Sequence, residues 1–234
     1  MELRRQLRDD LRLNQEADEL IDDLRSLNRP RLIVISGPSG VGKDTVIEEM
    51  RLRHPDYSFA VTATTRPRRP GEIDGVHYIF MTRQEFEESL ENNYFLESAE
   101  VYGNLYGVPR KRVEDEISDG KNVVIKVDVQ GAATIREIMP DAIFIFLLPP
   151  TMGELTARLR GRKTDDPDAL MERATTASWE LRRVRDFDYV VFNETDSVES
   201  TLSTIDAIIV AEGCRIDQTG GGASDNRTRR ADDD

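Results

Sequence analysis

Short apolar runs alternate with segments of helical periodicity through most of the chain. Four runs contain aliphatic, β-branched and aromatic residues without alternating polar positions, which is typical of strands buried on both faces; they span residues 31–36, 122–127, 143–148 and 189–192. Apolar residues at helical spacing predict helices over 44–53, 131–138, 152–160 and 168–184. This alternation predicts an α/β fold with a parallel central sheet flanked by helices.

Residues 58–112 differ from this pattern. They contain many Arg, Pro, Gly and Tyr residues, several short strand-like runs and one helix. Thr82 and Glu85 predict the start of this helix, because they have the spacing of a capping box. The segment is therefore predicted to be a small α+β insertion with a second binding surface, placed between the core segments 31–57 and 113–212.

The two ends of the chain are more polar than its centre. Residues 1–30 are predicted to be a charged extension, either an amphipathic helix or a partly ordered segment, with leucines at helical spacing: Leu3, Leu7, Leu11, Leu20, Leu24 and Leu27. Residues 213–234 contain few apolar residues and are predicted to be a tail that is disordered from about Thr219. A polar break with a proline at 164–168 predicts a mobile turn.

Composition narrows the classes of function. The 234 residues carry a formal net charge of −13, which argues against non-specific binding to nucleic acid or to an anionic membrane. A single cysteine, Cys214, excludes an internal disulfide, and His54 and His77 lie too far apart for a zinc motif. The sequence shows no secretory signal, and its longest apolar run, 142–148, is too short to cross a bilayer. We therefore expect a cytoplasmic protein without a nucleic-acid or membrane partner.

Residues 37–43 match the phosphate-binding pattern G-x-x-x-x-G-K, and they lie between a predicted strand and a predicted helix, where such a P-loop belongs. Glycines are needed because backbone N–H groups must converge on a phosphate without side chains in the way. The helix N-terminus adds the positive end of its dipole, and Lys43 adds a mobile ammonium. The residues predicted to bind ATP here are Gly37, Pro38, Ser39, Gly40, Val41, Gly42, Lys43, Asp44 and Thr45.

Asp44 departs from the P-loop pattern, in which a Ser or Thr hydroxyl after the lysine ligates Mg²⁺. A carboxylate this close to a triphosphate would repel it unless a metal or an arginine lies between them. Our hypothesis is that Asp44 is a direct or water-mediated Mg²⁺ ligand, because Mg²⁺ prefers oxygen ligands. The alternative is that Asp44 only caps the helix, while water fills the metal shell.

Two features of the insertion predict a second ligand. Arg66, Arg68 and Arg69 concentrate positive charge in an acidic protein, and guanidinium groups match phosphate oxygens bidentately, although a solvated basic loop is the alternative. Glu97 lies in an apolar and aromatic stretch, where a carboxylate needs a hydrogen-bond donor. The N1–H and N2–H₂ edge of guanine offers two adjacent donors to a carboxylate.

Taken together, these motifs resemble those of the guanylate kinases, which phosphorylate GMP to GDP with ATP. The resemblance covers about residues 32–212 and includes, in family order, G-P-S-G-V-G-K, T-T-R-x-x-R-x-G-E-x-D-G-x-x-Y, F-L-E-S-A-E-V-Y-G-N-L-Y-G, V-D-V-Q-G-A and R-L-R-G-R. It implies a P-loop NTPase-type sheet, a GMP-binding insertion and a lid at about 158–173. It also implies ATP and GMP as partners and Mg²⁺ as the cofactor, and we expect a monomer or a homodimer.

The resemblance implies roles for single residues. The positions for the GMP phosphate are Arg66, Arg69, Tyr78 and Tyr106. The positions for guanine are Glu97 and Thr62, which stands where the family has Ser, and further acceptor-site positions are Glu72 and Asp128. The catalytic positions are Lys43 and the lid arginines Arg158, Arg162 and Arg173, and Asn193 falls near the adenine-contacting segment.

Three positions depart from the family pattern. Val108, followed by Pro109, stands where the family has a Ser or Thr hydroxyl for guanine, and Lys126 replaces an acidic residue two positions before Asp128. Asp44 is the third departure. The loss of one hydroxyl contact is expected to weaken GMP discrimination by on the order of 1 kcal/mol. We hypothesise that Asp44 and Lys126 compensate each other as a pair.

Two other functions stay open at this point. Ribose 1,5-bisphosphokinase shares G-K-D and Y-G-V at the corresponding places, although a sugar phosphate would not need Glu97 or the intact arginine motif. A non-catalytic guanylate-kinase-like module would bind phosphorylated peptides at the GMP site. Such modules typically lack a working P-loop, whereas Gly42 and Lys43 are in place here.

Overall fold

The computed structural model describes residues 14–22, 30–101, 103–160, 167–195 and 197–215, with the backbone alone at 167–174. Contacts divide the chain into two units, residues 29–209 and residues 1–28 with 210–234. In the smaller unit, residues 14–22 form a helix, which we label α1. The other predictions for the two ends of the chain, and the predicted turn at 164–168, fall mostly or wholly outside the described residues.

Strands and helices alternate along the larger unit. The strands, in chain order, are β1 Leu32–Ser36, β2 Ser58–Phe59, β3 Ala63–Thr64, β4 Ile79–Phe80, β5 Phe95–Val101, β6 Asn104–Pro109, β7 Val123–Lys126, β8 Ile143–Leu148 and β9 Tyr189–Phe192. The helices are α2 Lys43–Arg53, α3 Arg83–Glu91, α4 Arg110–Ser118, α5 Val129–Ile138, α6 Met152–Arg160, α7 Pro167–Arg182 and α8 Val198–Gly213, with a 3₁₀ helix at Arg183–Asp186.

The central sheet is parallel and has the strand order β2-β7-β1-β8-β9. β1 lies in its middle, and alternate residues of β1 pack into two apolar clusters, Ile33 and Ile35 into one and Leu32 and Val34 into the other. Both faces of the sheet are therefore covered, which explains why its strands are apolar throughout. The predicted α/β fold is confirmed, and the four predicted core strands end within one residue of their expected bounds.

The strand register brings the carboxyl ends of the core strands to one edge of the sheet. Ile35 pairs with Lys126 on one side and with Ile145 on the other. The loops that follow β1 and β7 therefore leave the sheet side by side. This is the edge at which open parallel sheets bind ligands.

A second sheet has the strand order β4-β3-β6-β5 and contains both parallel and antiparallel pairs. α3 packs on it by stacking Phe86 on Phe95, with the ring centroids 4.3 Å apart. β2 belongs to the central sheet, because its residues pair with β7. The second sheet thus begins after Phe59, slightly later than the start of the predicted insertion at residue 58.

The four predicted core helices are present within two residues of their expected bounds. α4 and α8 lie outside the sequence prediction for different reasons. α4 is mostly charged and buries only Val113 fully, so it has almost no apolar stripe. α8 is rich in Ser, Thr, Ile and Val, which have modest helix propensity, and it is stabilised by packing Leu202 and Ile205 into the core. No helix in the described part of the chain is long and apolar enough to cross a membrane.

The capping box at the start of α3 provides a test of local stability. Thr82 Oγ1 accepts a hydrogen bond from the Glu85 backbone N–H at 3.2 Å, and the Glu85 carboxylate accepts one from the Thr82 N–H at 2.7 Å. We expect Thr82→Ala to lower the free energy of unfolding by about 1 kcal/mol, because an N–H at the helix start loses its acceptor. Urea unfolding monitored by circular dichroism measures the difference.

The control for this variant is Thr156→Ala in α6. The Thr156 hydroxyl donates to the Met152 carbonyl oxygen of its own helix at 2.8 Å, so its removal leaves no N–H unsatisfied. Alanine also has the higher helix propensity. An equal loss of stability in the two variants would contradict the capping role of Thr82.

Candidate functional site

A cleft of about 240 Å³ opens at the carboxyl edge of the central sheet. Its walls come from the loop after β1, from the second sheet, from the end of β7 and from α7. The lining residues are Ser39, Gly40, Gly42, Lys43, Asp44, Thr45, Thr62, Arg66, Arg69, Tyr78, Glu97, Ala99, Val101, Tyr106, Lys126, Val127, Asp128 and Glu180. Most residues that the sequence assigns to the two substrates therefore line one cavity.

The loop after β1 has a backbone that requires its glycines. Gly37, Gly40 and Gly42 have φ angles of 144°, 85° and 102°, in the region that residues with a Cβ rarely adopt. A Cβ at Gly37 would also come within 2.5 Å of the Leu147 carbonyl oxygen. Lys43 folds back over the loop and donates from Nζ to the carbonyl oxygens of Gly37, at 2.5 Å, and Pro38, at 3.2 Å. The ammonium thus lies at the loop that the sequence predicts to bind phosphate.

Asn193 and Arg158 hold this loop by hydrogen bonds to its backbone at Val41. The Val41 carbonyl oxygen accepts hydrogen bonds from Asn193 Nδ2 at 2.7 Å and from Arg158 Nη1 at 3.0 Å. Asn193 is buried, and a Cβ at Gly42 would come within 2.5 Å of its Nδ2 atom. Neither Asn193 nor Arg158 lines the cleft. In this structure, both residues position the phosphate loop.

Glu180, which the sequence did not indicate, also contacts the loop. Its carboxylate is buried and accepts a hydrogen bond from the Ser39 backbone N–H at 3.0 Å. Burial raises the pKa of Glu180, partly offset by Lys43, and burial lowers the pKa of Lys43, partly offset by Glu180. The available signal is helical spacing, because Glu180 lies one turn after the fully buried Ala177.

Glu72 fixes Arg66 with two parallel hydrogen bonds, Nη1 to Oε2 at 2.8 Å and Nη2 to Oε1 at 2.7 Å. This pairing lowers the pKa of Glu72 to about 2 and raises the pKa of Arg66. Glu72 also accepts from the Arg69 backbone N–H at 2.7 Å. Arg66 and Arg69 line the cleft, whereas Glu72 lines an adjoining cavity of about 380 Å³. Glu72 is therefore placed as the partner that orients Arg66.

Glu97 is the buried carboxylate of the cleft, with only 5% of its surface exposed. Burial and, to a lesser extent, the nearby Asp128 carboxylate raise the pKa of Glu97 to about 8. Asp128 caps α5 by accepting from the Gly131 N–H at 2.8 Å. A Cβ at Gly131 would lie 2.5 Å from Glu97 Oε2, so this glycine allows the carboxylate to approach the helix. Thr62 is also buried and lines the same cavity.

Tyr78 and Tyr106 contribute an aromatic wall, with ring centroids 6.3 Å apart in an edge-to-face arrangement. Val108, on the same strand as Tyr106, does not line the cleft. It is fully buried and packs in an apolar cluster with Leu96 and Val113. Val108 thus contributes to the core at the position where the family resemblance implies a hydroxyl.

Asp44 and Lys126, two of the departures from the family pattern, form an ion pair. Lys126 Nζ also donates to the Tyr78 hydroxyl oxygen at 2.8 Å. The pairing expected from the sequence is confirmed. It joins the first turn of α2, the end of β7 and the aromatic wall of the second sheet.

Two of the predicted lid arginines are outside the described side chains. Arg162 falls outside the described residues, and Arg173 has only its backbone described, within α7. The described residues contain no group of three His, Cys, Asp or Glu side chains arranged to hold a metal. Asp44 and Thr45, whose side chains carry oxygen atoms, nevertheless line the cleft beside Lys43. This oxygen set fits Mg²⁺, which binds few protein ligands and keeps waters and substrate phosphates in its shell.

Comparison with known proteins gives a matching family model and several similar chains. The family model described as guanylate kinase matches residues 29–212. A guanylate kinase of Clostridium perfringens (strain SM101 / Type A) is 44% identical over 199 residues, which cover 85% of this chain and 91% of the relative. A guanylate kinase of Carboxydothermus hydrogenoformans is 40% identical over 186 residues, covering 80% of this chain and 90% of the relative. The crystal structure of guanylate kinase from Anaplasma phagocytophilum superposes with a TM-score of 0.64 at 33% identity, covering 80% of this chain and 90% of that one.

The raised pKa of Glu97 predicts a pH dependence of stability. The folded protein binds a proton at Glu97 up to about pH 8, whereas an unfolded Glu has the ordinary value of 4.5. The folded state therefore holds more protons between these values, and the contribution of Glu97 to stability is lost as the pH rises through that window. We expect the free energy of unfolding to fall relative to that of Glu97→Gln, with a slope approaching about 1.4 kcal/mol per pH unit.

The measurement is urea unfolding of wild type and Glu97→Gln at several pH values within this window. Glu100→Gln is the matched control, because Glu100 is exposed on the same strand. Its difference from wild type should not change with pH in this way. Parallel pH profiles of wild type and Glu97→Gln would show that Glu97 is not held protonated.

Proposed function

Because the chain belongs to the guanylate kinase family, we propose that it transfers the γ-phosphoryl group of ATP to the phosphate of GMP, giving ADP and GDP. The observation that carries this proposal is that one cavity contains both a glycine-rich phosphate loop and a guanidinium, tyrosine and buried-carboxylate set. The reaction belongs to purine nucleotide metabolism. ATP and GMP are then the partners of the chain.

The phosphate loop and α2 form the ATP side of the site. Backbone N–H groups at the start of α2 and the helix dipole favour the phosphates. Lys43 is already at the loop through its hydrogen bond to Gly37, and it would exchange these carbonyl contacts for phosphate oxygens. Asn193 and Arg158 hold the Val41 carbonyl, so they keep the loop in shape for the ligand. Support for an adenine contact near Asn193 comes from the family resemblance.

The second sheet forms the GMP side. Arg66 and Arg69 would bind the GMP phosphate, Arg66 with its guanidinium already oriented by Glu72. Tyr78 and Tyr106 would add hydroxyl donors. Deeper in the cleft, Glu97 and Thr62 would bind the guanine edge, and two guanine N–H donors would favour the ionised form of Glu97. Asp128 would act at this site through its position beside Glu97 and its cap on α5.

The proposed step is a direct in-line displacement. An oxygen of the GMP phosphate forms a bond to the γ-phosphorus, while the bond from that phosphorus to the β–γ bridging oxygen breaks and ADP leaves with the electron pair. Lys43 would stabilise the charge that develops on the β- and γ-oxygens. The lid proposed at 158–173 would bring Arg158, Arg162 and Arg173 toward the transferring group and exclude water. For Arg158, this requires release of its hydrogen bonds to Val41 and Thr195.

Mg²⁺ fits the cleft, where Asp44 and Thr45 would hold it, and when bound it would supply positive charge to the β- and γ-phosphate oxygens. The Asp44 side chain is 63% exposed, so a ligand can reach it from solvent while it pairs with Lys126. Asp44 is therefore proposed to contribute to metal binding directly or through water.

The structure offers no specific support for the two alternative functions. A sugar-phosphate kinase would not need the buried pair of Glu97 and Thr62 in its acceptor cavity. A non-catalytic module would not need Lys43 at an intact phosphate loop. We place the activity in the cytoplasm, in keeping with the exposed free thiol of Cys214. The family resemblance supports a monomer or a homodimer.

Replacement of Lys43 tests the proposed function directly. We expect Lys43→Ala to lower kcat for ADP formation with GMP by about a thousandfold or more, because charge on the transferring phosphoryl group loses the ammonium of the phosphate loop. A coupled ADP-release assay with GMP, dGMP, AMP and ribose 1,5-bisphosphate identifies the acceptor. Lys121→Ala is the control, since Lys121 is paired with Glu116 outside the cleft.

Two results would reject the assignment. One is near-normal turnover of correctly folded Lys43→Ala. The other is that the wild-type protein forms no ADP with GMP, regardless of whether it forms ADP with another acceptor.

Metal dependence tests the proposed role of Asp44. We expect Asp44→Ala to require a several-fold higher Mg²⁺ concentration for half-maximal activity and for ATP binding, because the protein loses an anionic oxygen ligand. Asp44→Ser should restore part of the dependence. Mg²⁺ titrations of activity and of ATP binding measure both, with Asp56→Ala as the control for loss of an exposed carboxylate just after α2. If Asp44→Ala and Asp44→Ser both keep the wild-type Mg²⁺ profile, Asp44 has no metal role and acts in the cleft through its ion pair with Lys126.

A further inference from the structure

Lys126 is a cation at the junction of the two halves of the cleft. It is the last residue of β7 and pairs in register with Ile35, immediately before the phosphate loop begins. Its Nζ atom forms an ion pair with Asp44 from α2 and donates to the Tyr78 hydroxyl from the second sheet. The same side chain lines the main cleft and the adjoining cavity.

We propose that Lys126 is part of the site that binds the acceptor phosphate, and that Asp44 pairs with the Lys126 ammonium until that phosphate binds. This inference rests on the proposed function, because it names a further ligand for the GMP phosphate. The family pattern places an acid at this position, so the role belongs to this chain's own residues. Lys126 would act both by its charge and by orienting the Tyr78 hydroxyl.

The hydrogen bonds of Tyr78 and Lys126 leave one donor on each side chain for a ligand. The Tyr78 oxygen accepts a hydrogen bond from Lys126 at 2.8 Å, so its single O–H must be directed to a different acceptor. Tyr78 lines the cleft, where a phosphate oxygen is an acceptor of this kind. The ammonium itself has three N–H donors and no acceptor capacity. Asp44 and Tyr78 use two of these donors, so the third can be given to a ligand oxygen.

The charges around Tyr78 give the second argument. Lys126 Nζ lies 4.7 Å and the Arg66 guanidinium carbon lies 4.8 Å from the centroid of the Tyr78 ring. The ion pair with Asp44 and the hydrogen bond to the Tyr78 oxygen both favour the charged form of Lys126. Two cations therefore converge on one tyrosine in the cleft. Such a convergence is suited to a dianionic phosphate.

The partners of these two cations differ in a way that defines the role of Asp44. Glu72 binds Arg66 bidentately, is largely shielded and leaves the guanidinium fixed. Asp44 holds Lys126 through one carboxylate oxygen and is 63% exposed, so its attraction is weakened by solvent and can be given up. In the absence of metal, Asp44 and the acceptor phosphate would compete for the same ammonium. Removal of the Asp44 charge should then strengthen GMP binding.

A purely structural role for Lys126 predicts something different. As a tether between β7 and Tyr78, Lys126 would shape the whole acceptor site, and its loss would weaken guanosine and GMP alike. As a phosphate ligand, it affects GMP alone. The ratio of the two dissociation constants therefore separates the two roles without measuring turnover.

The experiment is isothermal titration calorimetry of GMP and of guanosine, without Mg²⁺ or ATP. Lys126→Met should raise the Kd for GMP by about tenfold or more, as expected for a lost charged hydrogen bond, and change the Kd for guanosine by less than about twofold. Lys126→Gln should give the same pattern, which guards against misfolding of one variant. Asp44→Asn should lower the Kd for GMP by a few-fold. Lys121→Met is the control, because it makes the same change of net charge and likewise removes a lysine from an ion pair, here with Glu116.

Several outcomes would overturn the inference. Equal losses for GMP and guanosine would make Lys126 a structural tether, and an unchanged Kd for both in folded Lys126→Met and Lys126→Gln would remove it from the site. Weaker GMP binding by Asp44→Asn would contradict the competition with Asp44. If wild type binds neither guanosine nor GMP, both the proposed function and this inference are rejected. If wild type binds GMP and the Lys126 variants bind it equally well, only this inference is rejected.

Discussion

The parallel hydrogen bonding of β1 between β7 and β8 is the constraint on which the site depends. It gives the three strands a common direction, so the phosphate loop after β1 lies beside the segment that runs from Lys126, the last residue of β7, to Asp128. The apolar residues of these strands are buried by helices on both faces, which fixes the sheet and its edge. Lys43, Asp44 and Lys126 lie together because the backbone of the sheet places their chain segments side by side.

Two ionisable groups that line the cleft, Arg66 and Glu97, are buried, and they are held in different ways. Glu72 and Arg66 neutralise each other with two short hydrogen bonds, which leaves a fixed guanidinium facing the cavity. Glu97 has a raised pKa because it is buried near Asp128, so it is poised to ionise when donors arrive. A low dielectric makes each of these groups costly when alone and strong when paired with a ligand. The cleft is thus prepared for a charged and hydrogen-bonding substrate.

Positioning residues take up much of this site. Asn193 and Arg158 hold the Val41 carbonyl, Glu180 binds the Ser39 N–H, and Glu72 orients Arg66. Family resemblance attributes three of these four positions to substrate contact or catalysis, and in the described structure each of the three also makes hydrogen bonds within the protein. Precise placement of a few phosphate-binding groups is what phosphoryl transfer requires, because catalysis there depends on positioning and charge.

The sequence by itself determined the core strands, the phosphate loop and the capping box of α3, because each depends on local chemistry: continuous apolar residues, glycines with positive φ, and a side chain three residues from an N–H. The motifs of the sequence also identified most of the residues that line the cleft.

Only the tertiary structure decided that β2 pairs with the central sheet and that α8 is helical, since both depend on packing with distant residues. It alone placed Glu180 on the phosphate loop and Val108 in the core. The pairing of Asp44 with Lys126 could be suspected from two unusual residues, but its contact with Tyr78 needed the fold, because residues distant in the chain meet only when the two sheets are assembled.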